Sequence, residues 1–88
     1  MGTFLGGSAW AMAGQIGDGY ILVTDRTWIQ LNRGELDKLA FELDKLLRET
    51  RSVQPPLDDI QALQQRNRKV SRLTGALSML RSYQARMR

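Results

Sequence analysis

The apolar pattern changes period near Asn32. Before it, short runs are interrupted by glycine, and six of the eight glycines fall within the first nineteen residues. Residues Ala9 to Ile16 alternate imperfectly, and Gly17-Asp18-Gly19 then offers two positions that accept positive φ around a turn-forming Asp, a strong hairpin signal. Tyr20-Ile21-Leu22-Val23-Thr24 is β-branched and aromatic, which suits a pleated, half-buried surface. Asp25-Arg26 makes a second short turn, and Thr27-Trp28-Ile29-Gln30-Leu31 reads as a third strand. The first 31 residues therefore predict a three-stranded antiparallel β-meander.

From Asn32 onward the period is helical. Asn32 and Glu35 have capping-box spacing, and Leu36, Leu39, Leu43, Leu46 and Leu47 step by three and four on one face. This predicts an amphipathic helix over 32–51. The linker 52–56 ends it, because Pro55 and Pro56 disfavour α geometry at the residues before them. A second helix is predicted from Leu57, with Asp58 and Asp59 in its first turn, where the macrodipole favours negative charge. Gly75 is its one breaker, so it can reach Arg88, a length of roughly 45 Å at about 1.5 Å per residue. The expected fold is α+β: one small domain, 1–88, with the meander followed by two α-helices, the second long and basic.

Charge is what separates that last helix from the rest. From Gln61 to Arg88 there is no acid, and Arg66, Arg68, Lys69, Arg72, Arg81, Arg86 and Arg88 give +7, whereas the first sixty residues hold nine acids against six bases. On a helical wheel Leu63, Val70, Leu73, Leu77, Leu80 and Met87 form a coiled-coil-like seam, weakened by Arg66 and Gln84. Leu73, Leu77 and Leu80 are the candidate interface with a second copy or a partner. Arg68, Arg72 and Arg86 lie on a separate flank, with Lys69 and Arg81 bordering the seam. These five are the candidate contacts to nucleic acid or to an acidic protein surface, since arginine suits bidentate contact with phosphate and carboxylate. The bland alternative is a solvated face that partly pairs with the first helix. That helix cannot absorb every base, because residues 32–51 carry five acids and five bases of their own.

The chain has no Cys and no His, which removes disulfides, thiolate nucleophiles, imidazole acid–base chemistry and the usual zinc ligands. Gly14-x-x-Gly17-x-Gly19 precedes a predicted strand, whereas a dinucleotide fingerprint follows one and opens a helix. We therefore expect no enzyme, no cofactor, no metal and no small-molecule substrate. The first charged side chain is Asp18, so a secretory signal lacks its basic region, and glycines spoil a membrane span. Gly2 suggests myristoylation, but Gly6 stands where that motif needs Ser or Thr. A cytoplasmic protein is expected. Trp10, Tyr20 and Trp28 can share one sheet face, where burial of Tyr20 and Trp28 in the core competes with stacking of bases. Tyr83, off the apolar stripe, is a better candidate for an exposed contact.

The passage Thr27-Trp28-Ile29-Gln30-Leu31-Asn32-Arg33-Gly34-Glu35-Leu36, within residues 20–47, resembles the strand–helix passage of whirly-like single-stranded DNA-binding proteins and of small cyanobacterial proteins of related fold. The long basic C-terminal helix departs from that family's arrangement, and no binding residue can be carried over. The resemblance implies nucleic-acid binding. The functional expectation is thus a small binding protein that contacts nucleic acid through its basic helix. The alternative is an adaptor docking on an acidic partner through the leucine seam and arginine flank.

Overall fold

A computed structural model describes residues 8–86. It contains four helices among those residues: α1 (Ala9–Gly17), α2 (Asp25–Ile29), α3 (Arg33–Ser52) and α4 (Ile60–Arg86). No strand occurs among the described residues, so the α+β expectation is overturned in favour of an all-helical fold. The strand–helix passage on which the family resemblance was drawn has no strand in it either. Residues 1–7 of the expected meander, and Met87 and Arg88, lie outside the described residues.

The correction at the N-terminus has a clear physical cause. Ser8 caps α1, its Oγ accepting from the Ala11 N–H at 3.1 Å, and Met12, Ala13 and Ile16 then face inward with helical spacing. The Gly17-Asp18-Gly19 signal marks the end of this helix and not a hairpin. Asp18 is the C-cap, Gly19 has φ 84°, the Gly19 N–H reaches the Ile16 carbonyl at 3.2 Å, and the Tyr20 N–H reaches Gln15 at 2.9 Å. These are the paired bonds of a Schellman motif, which needs the same left-handed glycine that a tight hairpin needs.

Residues 20–24 do alternate, with Ile21 and Val23 resting on the core and Tyr20 and Leu22 exposed, but no second strand pairs with them among the described residues. The third expected strand is helical. Asp25 occupies the first turn of α2, the Thr27 hydroxyl accepts from the Thr24 N–H at 3.0 Å, and Trp28 is fully buried. Burial of that one large ring outweighs the β propensity of Thr27, Trp28 and Ile29, which is weak and depends on context.

In α3 the capping box is present in both directions. Asn32 Oδ1 accepts from the Glu35 N–H at 2.8 Å, and Glu35 Oε1 accepts from the Asn32 N–H at 2.9 Å. Leu36, Leu39, Leu43 and Leu47 are buried. The helix gives way at Val53, whose ψ of 121° is extended, just before the prolines. Asp59 then caps α4 by accepting from the Ala62 N–H at 3.0 Å, and α4 runs through Gly75 without a break.

The two long helices are antiparallel. Gln84 near the end of α4 donates to Asp37 near the start of α3 at 2.8 Å, and Arg66 near the start of α4 reaches the carbonyls that end α3. Helix α1 packs on both, and one cluster that includes Met12, Ile16, Trp28, Leu36, Leu39, Leu43, Leu73 and Leu80 forms the core. The deepest burial on α4 lies between Leu73 and Leu80. Its first ten residues are covered only in part and make one wall of a groove.

Candidate functional site

The groove lies where the end of α1, the C-terminal half of α3 and the N-terminal half of α4 meet. It holds about 780 Å³ and is open to solvent. Four cations of α4, Arg66, Arg68, Lys69 and Arg72, line it together with the carboxylates of Asp18 and Glu49. Positions 66, 69 and 72–73 recur at helical spacing, so one face of α4 meets the ends of both other helices.

Most of these cations are engaged by the fold. Arg66 Nε donates to the Val53 carbonyl at 2.8 Å, its Nη2 donates to Arg51 at 2.9 Å, and its Nη1 donates to Asn67 Oδ1 at 3.3 Å. This side chain therefore closes the C-terminus of α3, where unpaired carbonyls carry the negative end of the helix dipole. Arg72 Nη1 donates to the Gly17 carbonyl at 3.2 Å, and Lys69 Nζ stands 3.8 Å from Asp18 Oδ1. They do the same for α1, which has no base of its own in its last turn. The fit at Arg72 is close: a Cβ on Gly19 would stand 2.9 Å from Arg72 Cζ.

The bonds leave capacity for a ligand. A guanidinium has five N–H donors. Arg72 uses one of them and Arg66 three, and both planes are held in place at the groove. An arginine already fixed loses less freedom when it binds an anion. Arg68 is exposed and makes no hydrogen bond or ion pair with any described residue.

The remaining candidates lie elsewhere. Arg86 pairs at 3.7 Å with Asp25, both well exposed, so the pair is worth little. Arg81 is exposed and unpaired among the described residues, but it sits beside Leu47 and Leu77 in a different recess, away from the groove. Among the described residues, the partners of the α4 bases are helix-end carbonyls, Asn67, Asp18 and Asp25.

Leu73, Leu77 and Leu80, offered above to a partner, lie in the chain's own core at 0%, 7% and 0% exposure. At these three positions the seam is covered by the chain's own packing. Of the aromatics, Trp28 is buried, whereas Trp10 and Tyr20 are exposed, and Tyr83 is half-buried against the core. The hydrophobic pattern alone did not reveal Arg66 as a clamp. Its one signal was a lone base at a seam position, level with the end of the preceding helix.

Comparison with protein-family models, with curated proteins and with solved structures finds no match for this chain. No helix among the described residues is long and apolar enough to cross a membrane.

Proposed function

We propose that this protein is a non-enzymatic module that binds nucleic acid by its phosphates, along the α4 wall of the groove. The observation that carries the reading is the alignment of Arg66, Arg68, Lys69 and Arg72 on one open groove, with two of the guanidiniums held in place by backbone carbonyls. Donors fixed in a plane suit the bidentate contact that phosphate makes. A cytoplasmic location goes with this reading, and nothing in it requires a second copy.

Fluorescence anisotropy of labelled DNA and RNA oligonucleotides across a salt series tests it. With about three phosphates engaged, log K should fall with log salt at a slope of roughly −2 to −3. Arg68→Gln should weaken binding to every sequence and flatten that slope by about one. Arg81→Gln, outside the groove, should change neither. Absence of binding at low salt, or equal effects of the two substitutions, would refute the assignment.

A second reading, docking of an acidic partner protein, draws on the apolar residues Val53, Leu57 and Ile60, exposed at 60%, 81% and 66% around the α3–α4 turn beside the groove. Such docking would persist at salt concentrations that abolish phosphate contacts. It would not run through Leu77, because an Asp there would be buried in the core.

A further inference from the structure

A second cavity of about 480 Å³ adjoins the groove and shares Asp18, Leu46, Glu49 and Lys69 with it. Trp10 and Tyr20 both line this cavity and remain 74% and 83% exposed, while Trp28, the chain's other tryptophan, is wholly buried. Trp10 precedes Gly14 by one helical turn, so the two lie on the same face of α1. Gly14 is inside the helix and has no left-handed φ, and beyond the helix's own backbone no atom of the described residues comes within 4 Å of where its Cβ would stand. Neither the backbone nor a described neighbour demands a glycine there, although glycine weakens a helix interior relative to alanine. What the glycine does provide is a flat, open floor beside two exposed rings.

We propose that Trp10, Gly14 and Tyr20 form a seat for one unpaired nucleobase, belonging to a strand whose phosphates lie along α4. The proposal rests on the nucleic-acid reading above and adds the form of the ligand. Aromatic faces beside a cationic track accept bases of any identity by stacking. The distribution of charge sets the orientation. The cations line the α4 side of the groove, while Glu42, Lys45 and Glu49 of α3 border the aromatic cavity and leave that wall with a net negative charge. A duplex carries phosphates on both flanks and would bring one row against that net negative wall. A single strand places its phosphates on one edge and its uncharged bases on the other, which matches the two walls. Lys69 stands at the junction of the two cavities, 3.8 Å from Asp18, which lines both.

The test compares a labelled oligothymidylate with the duplex it forms with its complement, by anisotropy and by intrinsic tryptophan emission. The single strand should bind more tightly and quench the emission, and Trp10→Phe, which leaves only buried Trp28, should abolish the quench. Trp10→Ala should lower affinity for the single strand about tenfold while leaving the duplex unchanged. Gly14→Leu keeps a good helix former in α1 and fills the floor, so it should give the same selective loss in a folded protein. Equal binding of both forms, or single-strand affinity indifferent to both Trp10→Ala and Gly14→Leu, overturns the seat and leaves the phosphate reading standing. If neither form binds at low salt, the phosphate reading fails and the seat fails with it.

Discussion

Two helical glycines make opposite predictions from one substitution. Gly75 lies mid-way along α4 on the exposed side, and a Cβ there would meet no other described residue within 4 Å beyond the helix's own backbone. Gly17 ends α1, and its Cβ would stand 3.3 Å from both Leu73 Cδ2 and Lys69 Cε. Replacing either by Ala removes a similar amount of unfolded-chain entropy, so that term cancels when the two variants are compared. What differs is the folded state. Gly75→Ala should gain the helix-propensity difference, about 0.8–1.0 kcal/mol, or roughly 4–8 °C in Tm for a domain of this size. Gly17→Ala presses on Leu73, which is wholly buried and must shift by a few tenths of an ångström to make room. Overpacking of that kind costs about 1–3 kcal/mol, which exceeds the propensity gain and should leave the variant about 1 kcal/mol less stable than wild type. Thermal unfolding followed by circular dichroism, with urea titrations to check that the slope m is unchanged, reads both. A Gly75→Ala protein that melts below wild type would mean that residue 75 is packed against something. A Gly17→Ala protein as stable as Gly75→Ala would mean that α1 does not lie against Leu73.

Two further substitutions probe the core and a cap. Trp28 is fully buried, and its Nε1 has no hydrogen-bond partner among the described residues. Trp28→Phe should therefore stay within about 1 kcal/mol of wild type, because relief of an unsatisfied N–H offsets the smaller ring, whereas Trp28→Ala should lose about 3–5 kcal/mol. Equal losses in urea denaturation would show that the indole N–H is paired. Asn32→Ala removes the acceptor that holds the Glu35 N–H at 2.8 Å and should cost about 1 kcal/mol, measured in the same way. A neutral result would mean that the α3 N-terminus is held by packing and not by its box.

Helix α3 was legible because its determinants are local: a cap, a box and leucines at helical spacing, all within one stretch of chain. The prolines and Asp59 mark the next boundary for the same reason, and the expected start at Leu57 moves only to Ile60. The first third was misread because its signals are degenerate. A glycine pair around Asp18 serves a hairpin and a Schellman motif equally well, and Tyr20 to Thr24 alternates whether or not a partner strand exists. Only the packing of α1 on α3 and α4 separates these alternatives, and that contact joins residues far apart in sequence. Trp28 and Tyr20 show the same limit. Both read as core residues, yet Trp28 is buried and Tyr20 is 83% exposed.

The excess of positive charge on α4 reads differently once its partners are known. Helices α1 and α3 both end against the N-terminal half of α4, and each end presents carbonyls that want a donor and a positive charge. Arg66, Lys69 and Arg72 meet that demand, with Arg86 tied to Asp25, so a large part of the tail's charge is explained by the fold before any ligand is invoked. A ligand can draw only on the charge that the fold leaves over. Arg68 and Arg81 are alike in charge, exposure and lack of described partners, yet Arg68 lines the cationic groove and Arg81 does not. A ligand drawn by net charge alone would weaken equally when either is neutralised. A ligand that occupies the groove would register the loss of Arg68 and ignore the loss of Arg81.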